Sequence, residues 1–356
     1  VFYEHVETLM SQFEDVVVED FVEPDLPEDS QTSILGAFES GYISHKKYLG
    51  ASKSKLVKTI LYEWGNNDGS ATREPAKLRP FTDGSGSTIV PIEKALLRYD
   101  VSSVAIHDDL VDAAKKSLSS MLGWSQVVNC PYKKCVFSFD EAVVGVHGDE
   151  QFDAISRSSS PGYPHVLNNH THGKKFWFGE EDIYQLNNPR ADSLRHVVNE
   201  TIANALKGKR RLWVYLDNLK DELVPKEKAA LGKTRLFSAT PLELLILYRM
   251  YFGAFTSWIA RNHTENGIAI GLNPYSHDWD RLAKKLEMFG GNVIAGDFSG
   301  FDTRQVPKVL YAILDIINHW YNDGSDNKRV REILWEEIVN SYHIYGDRIY
   351  SWTGSL

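Results

Sequence analysis

Asn292-Val293-Ile294-Ala295-Gly296-Asp297-Phe298-Ser299-Gly300-Phe301-Asp302 is the stretch on which the reading of this chain turns. Its opening residues, Asn292 to Gly296, form a short apolar run that predicts a buried strand ending at Asp297. Ser299 and Gly300 predict a turn, and Asp302 follows beyond it. Pro307 then predicts a helix start, since Val309, Leu310, Ile313, Leu314, Ile317 and Trp320 recur at helical spacing. Two carboxylates so placed can face one cavity, where Mg²⁺ meets a phosphate through hard oxygen ligands. An aspartate capping the next helix explains the same residues equally well, so this stretch alone leaves both readings open.

Upstream, Leu242 to Arg261 predicts a nearly all-apolar helix carrying Leu245, Ile246, Met250, Gly253, Phe255 and Ile259 through a core. Glu243 and Arg249 interrupt this apolar run, which argues for a buried helix rather than a membrane span. Asp109 to Leu122 has helical spacing, and Ser341 to Trp352 predicts a hairpin about Gly346-Asp347. Phe81 to Thr88 lacks an apolar period and predicts a loop, as does Ser156 to Pro164. Long helices interspersed with strands give an α+β or mixed α/β class.

The formal net charge is −9, which seen whole argues against an anionic polymer as partner. Residues 1–30, however, hold ten acidic side chains and no Lys or Arg; without them the remainder carries +1. Within that remainder, residues 207–235 hold nine basic and four acidic side chains, a local excess of +5 suited to phosphate. Cys130 and Cys135 cannot by themselves build a disulfide framework or a four-ligand zinc site, and a reducing compartment is the simplest expectation. No N-terminal segment resembles a signal peptide. The start at Val1 and the stop just after Gly354-Ser355 give the expectation of two cut ends, either from polyprotein processing or because the sequence is a fragment.

Three segments carry a family resemblance. Asp297-x-x-x-x-Asp302 after an apolar strand and before a Pro-initiated helix resembles motif A of picornavirus-like RNA-dependent RNA polymerases. Lys220-Asp221-Glu222-Leu223, then Lys226, Lys228 and Gly232-Lys233-Thr234-Arg235, resembles motif F, a cationic ribbon over the incoming nucleoside triphosphate. It is not a Walker A loop, for the required upstream glycine is missing. Ser158-Ser159-Ser160-Pro161-Gly162-Tyr163-Pro164 resembles motif G, a loop beside the template channel. Glu74 to Leu78 resembles the index-finger segment, and Gly267-x-x-x-Gly271-x-Asn273-Pro274 also fits the family. The order G, F, A is the family's, and the insect dicistrovirus and iflavirus type is the nearest branch.

The resemblance implies a right-hand polymerase fold, with fingers and the first part of the palm and the thumb absent. It implies an acidic lead-in over 1–30, fingers over 31–245, palm over 246–332, a return to the fingers over 333–349 and the start of motif B over 350–356. Asp297 and the Phe298 carbonyl would hold two divalent metals (Mg²⁺ or Mn²⁺), and Asp302 would sense the ribose 2′-hydroxyl. Lys220 and Arg235 would bind the triphosphate, supported by Lys228 and Lys233, while Asp221 and Glu222 orient those cations. Ser159, Ser160, Gly162 and Tyr163 would line the RNA template.

The implied activity is RNA-directed RNA synthesis for genome replication. Template and primer RNA, nucleoside triphosphates, a genome-linked protein primer and other viral replication proteins would be the partners, without a transmembrane segment. The implied place is the host cytoplasm, at membrane-associated replication complexes. Tyr345-Gly346-Asp347-Arg348 is rejected as motif C, because its second acid is an arginine that would repel metal ions. Without motif C and the thumb, the isolated chain is expected to be inactive. A non-catalytic RNA-binding scaffold and a reverse transcriptase are the competing readings. Trp177, Trp213 and Trp258 are expected in the core, Cys130, Cys135 and His147 as structural residues, and His170 and His172 on the surface.

Overall fold

A computed structural model describes residues 53–65, 71–100, 105–124, 135–167, 173–345 and 348–354, with the backbone of the strand Thr32–Ala37. The acidic lead-in, Cys130, His170, His172 and Gly346-Asp347 lie outside those residues.

The helix Leu242–Arg261 forms where the apolar spacing predicts it, and it is buried on nearly every side. Phe139–Val144, Pro189–Leu206, Pro307–Tyr321 and Ser325–Val339 pack around it, so one apolar cluster runs through the helical layer. Trp177, Trp213 and Trp258 lie in that cluster, as expected of packing residues, and Cys135 packs against it. Local signals set the helix starts. Ser138 and Glu141 close a capping box, Asn188 caps Arg190 and Ala191 ahead of Pro189, and Pro307 opens its helix. The helix Asp108–Trp124 extends the predicted one slightly at both ends.

A five-stranded sheet lies beside this layer, in the order Thr32–Ala37, Arg348–Thr353, Asn340–Tyr345, Val214–Leu219, Leu236–Ala239. All pairings are antiparallel except that of Val214–Leu219 with Asn340–Tyr345. The predicted hairpin is therefore present, and its second strand runs straight through the boundary drawn at 350. Asp217 ties three strands together. Its Oδ1 accepts from Ser238 Oγ at 2.6 Å and lies 3.0 Å from His343 Nδ1, all within the buried sheet. The His343 ring stacks on Trp352 at 3.5 Å, and Trp352 stacks on Tyr99 at 4.6 Å.

Two expectations need correction. Residues 292–298 form no strand and pair with none among the described residues, and Ile294 is 99% exposed. The apolar run is as predicted, but its burial requires a neighbouring strand that the described chain does not provide. Phe81–Thr82 and Thr88–Ile89 form a small hairpin instead of a loop, because Asp83 accepts from the N–H groups of Ser85 and Ser87 and closes the turn.

Candidate nucleotide and template site

The cationic ribbon is built on the sheet. Val214–Leu219 and Leu236–Ala239 pair up to Leu219 opposite Leu236, and Lys220 N–H continues the ladder to the Arg235 carbonyl at 2.9 Å. Lys220 and Arg235 therefore face each other where the buried strands give way to solvent. Both are exposed, as are Lys226, Lys228 and Lys233 on the arch between them.

That arch is anchored at several points. Arg73–Pro75 pairs with Leu223–Pro225, Thr234 Oγ1 donates to the Lys77 carbonyl at 2.7 Å, and Lys94 Nζ donates to Leu231 O at 2.8 Å. The segment that resembles the index finger is thus knit to the ribbon by backbone hydrogen bonds.

Glu222 takes the orienting role foreseen for it. Arg235 Nε donates to Glu222 Oε1 at 2.5 Å, Nη2 donates to Oε2, and Lys220 Nζ lies 3.8 Å from Oε2. The Arg235 hydrogen bond holds the Glu222 carboxyl below the usual carboxylate range, more than its slight burial raises it. Asp221 behaves differently from the expectation. It accepts from Ser54 Oγ and Lys55 N–H, both at 2.6 Å, so it fastens residues 54–55 to the ribbon, and it forms no ion pair among the described residues. Its two oxygens are taken by a chain segment far away in sequence, which spacing could not reveal.

Asp302 heads a short 3-10 turn, Asp302–Arg304, and is exposed. Its charge reaches the ribbon. The Arg235 guanidinium is held above its ordinary value by the Glu222 hydrogen bonds, with burial opposing and the charges of Glu222 and Asp302 adding. The same carboxylate reaches Tyr99, whose phenol burial pushes up to about 12 with help from Asp217 and Asp302. Gly354 closes in from the other side, and a Cβ placed on it would lie 3.0 Å from the Gln305 carbonyl. Nothing in the spacing of Tyr99 pointed to this site. It arrives there by stacking on Trp352 and packing against the cluster that holds Leu219 and Tyr350.

Asp297 and Phe298 lie on the unpaired segment and are exposed. Among the described residues no three His, Cys, Asp or Glu side chains converge on one point. The donors present, a carboxylate and the Phe298 carbonyl, are hard oxygens of the kind Mg²⁺ accepts, with water and phosphate filling its other positions. They fit a divalent cation in kind and supply part of a ligand set.

The Ser158–Pro164 loop divides into two halves. Ser159 and Ser160 are exposed, whereas Gly162 and Tyr163 are buried. Gly162 adopts φ +75°, and a Cβ there would sit 2.4 Å from the Thr240 carbonyl. Tyr163 packs with Val214, Leu216 and Ile344 under the sheet. Gly162 and Tyr163 thus hold the loop against the ribbon's base, and of the four residues expected to line the template only Ser159 and Ser160 are exposed. Just beyond, buried His165 Nε2 meets Glu243 Oε1 at 2.8 Å, tying the loop to the first turn of the central helix. Burial opposes ionisation of Glu243, but the charge and hydrogen bond from His165 outweigh it and hold the carboxyl below its usual range.

This architecture is similar to that of a solved sicinivirus 3Dpol RNA-dependent RNA polymerase. The TM-score is 0.64 at 24% identity, covering 86% of this chain and 59% of that one. The fold is accordingly that of the right-hand polymerases. A family model described as viral RNA-dependent RNA polymerase matches residues 68–356, and the chain belongs to that family. It is 34% identical over 296 residues to the replicase polyprotein of Drosophila C virus, covering 80% of this chain and 17% of that polyprotein. It is 32% identical over 346 residues to the replicase polyprotein of cricket paralysis virus, covering 92% and 19%. With acute bee paralysis virus the identity is 36% over 286 residues, covering 79% and 14%. The chain therefore spans less than a fifth of these polyproteins.

Proposed function

We propose that this chain is the nucleotide- and template-gripping part of an RNA-directed RNA polymerase that copies a positive-strand viral genome from nucleoside triphosphates. The observation that carries this reading is the ribbon, in which Glu222 holds Arg235 and Lys220 at the open end of paired strands with Asp302 near enough to act on Arg235. A triphosphate needs cations fixed in direction, and a carboxylate that grips a guanidinium from one edge leaves its other edge free to donate.

Lys220 and Arg235 would bind the phosphates, with Lys228 and Lys233 extending the positive field along the arch. Asp302 would accept from the ribose 2′-hydroxyl. Asp297 and the Phe298 carbonyl would hold the divalent cation, Mg²⁺ or Mn²⁺ and two ions in the complete site, which when bound neutralises charge developing on the transferred phosphoryl group. Since among the described residues no three His, Cys, Asp or Glu side chains converge to hold a metal ion, this chain alone is expected not to extend a primer. Template RNA, primer, a genome-linked protein primer and other replication proteins are the proposed partners, at membrane-associated complexes in the host cytoplasm. Among the described residues no helix is long and apolar enough to cross a membrane.

The test is Asp297→Ala in the complete polymerase that carries this chain. Nucleotide incorporation on an RNA template is expected to fall by about a hundredfold or more while RNA binding persists. Unchanged incorporation would favour the non-catalytic scaffold instead.

A further inference from the structure

Lys174 is a cation of unusual setting. It is 2% exposed, yet among the described residues no carboxylate pairs with it. Its ammonium donates to the Ser160 carbonyl at 2.7 Å, the Ser159 carbonyl at 3.3 Å and Ser159 Oγ at 2.5 Å. Its backbone N–H donates to the Arg157 carbonyl at 2.7 Å. Arg157 returns the tie. Its guanidinium donates to the carbonyls of Phe178 and Gly179, at the end of the short helix that Lys174 begins, and lies over the Tyr184 ring. Loop and helix are thus cross-linked by a cation from each side. Burying an ammonium without a counter-ion is costly, and here burial brings Lys174 down to about 8. A group kept at such cost, with every contact made to one loop, has that loop as its purpose.

The contacts also decide which groups of the loop remain available. Ser159 Oγ accepts from Lys174 and donates to the Ser156 carbonyl at 2.9 Å, so its proton is committed inward. Ser160 Oγ accepts from Gly162 N–H at 3.2 Å, so its own proton is not needed within the loop. The Ser159–Ser160 peptide is trans, and in a trans peptide N–H and C=O point in opposite directions. With the Ser159 carbonyl aimed at the buried ammonium, the Ser160 N–H is aimed away from it, on an exposed residue.

We propose that Lys174 is a positioning residue for the template strand: by drawing the Ser159 and Ser160 carbonyls inward it turns the N–H and O–H of Ser160 outward as a paired donor for one RNA phosphate. Ser159 is the anchor, and Ser160 is the contact. Both donors sit on one residue whose backbone is fixed by a charge beneath it, so they meet the phosphate with little reorganisation. The inference rests on the template-loop reading above.

The experiment uses the complete polymerase carrying this chain, with Lys174→Gln and Lys174→Met beside the unaltered protein. Gln retains donors for the carbonyls while removing the charge, so a variant remains should Met prevent folding. Template affinity is measured with a labelled RNA, triphosphate KM by incorporation, and the loop's contact with RNA by photocrosslinking from 4-thiouridine in the template. The expected result is a crosslink on residues 157–164 in the unaltered protein. In the folded variants, template affinity should be roughly fivefold weaker at unchanged triphosphate KM. Folded variants that bind template as tightly as the unaltered protein overturn the role of Lys174 alone. A proportionate loss of template affinity, triphosphate KM and thermal stability overturns it too, as the mark of a merely structural residue. Absence of the crosslink from the unaltered protein overturns the template-loop reading and this inference with it.

Discussion

Glu222 grips Arg235 through two hydrogen bonds, and this contact fixes the direction of the cation proposed to bind a triphosphate. Arg235 is itself exposed, so without Glu222 its long side chain would sample many rotamers. Glu222→Gln is expected to raise the triphosphate KM of the complete polymerase by about tenfold while leaving template affinity alone. Arg235→Lys is expected to cost at least as much, since an ammonium cannot serve carboxylate and phosphate with two flat edges. Steady-state incorporation kinetics at varied triphosphate concentration check both.

Asp302 acts electrostatically on Arg235 and has no ion-pair partner of its own among the described residues, which leaves its carboxylate available to a sugar hydroxyl. Asp302→Ala is expected to narrow the preference for ribo- over deoxyribonucleotides by about tenfold or more, read from the ratio of kcat/KM for the two substrates. A preference left as wide as before removes Asp302 from sugar selection.

The His165–Glu243 pair is buried at both ends, with side chains 3% and 4% exposed. Glu243→Ala leaves a buried imidazole without that acceptor and is expected to lower stability by about 3 kcal/mol. Thermal unfolding of the 356-residue chain measures it, and a loss under about 1 kcal/mol would mean the loop is held mainly by Gly162 and Tyr163.

Lys174 gives a pH signature with two opposed limbs. Its value in the folded chain is about 8, against an ordinary 10.5, so the folded state releases this proton first as pH rises. Between those values the unfolded chain binds more protons, and stability attributable to Lys174 rises with pH. The penalty of the buried charge is fully present below about 8 and gone above 10.5. Template affinity moves the other way, weakening as pH rises past about 8, where the folded loop loses the cation that orients it. Lys174→Met is expected to flatten both limbs, as followed by denaturant unfolding and RNA binding from pH 7 to 10.

What the sequence disclosed follows the range of the forces involved. Leu242–Arg261 and Pro307–Tyr321 were legible to within a residue, because apolar period and an N-terminal proline are local facts. The hairpin Asn340–Thr353 was legible for the same reason. Glu243 could be seen as an interruption in an apolar run but not as the partner of His165, and Asp221 could not be matched to Ser54. Val293 and Ile294 show the reverse failure. Their apolar run predicts a buried strand, but a strand needs a partner segment to pair with, and among the described residues none pairs there. The cations Lys220 and Arg235 were singled out through the resemblance to motif F, and they lie on the two arms of one ribbon. Lys174, whose contacts depend on a loop folding back over it, was not.

The parallel pairing of Val214–Leu219 with Asn340–Tyr345 bears on how the molecule comes to exist. Parallel neighbours need a long crossover, and here the crossover contains the whole central helix and both helices that follow the Asp302 turn. A ribosome therefore releases the ribbon well before the strand that completes its base, and Thr32–Ala37 waits longer still for Arg348–Thr353. Such non-local closure is slow. During synthesis the helical layer can assemble first, with the basic arch attached to an unfinished sheet. The arch is thus fixed in place late, after the strands carrying residues 340–353 have emerged, and so would be the nucleotide grip proposed for it.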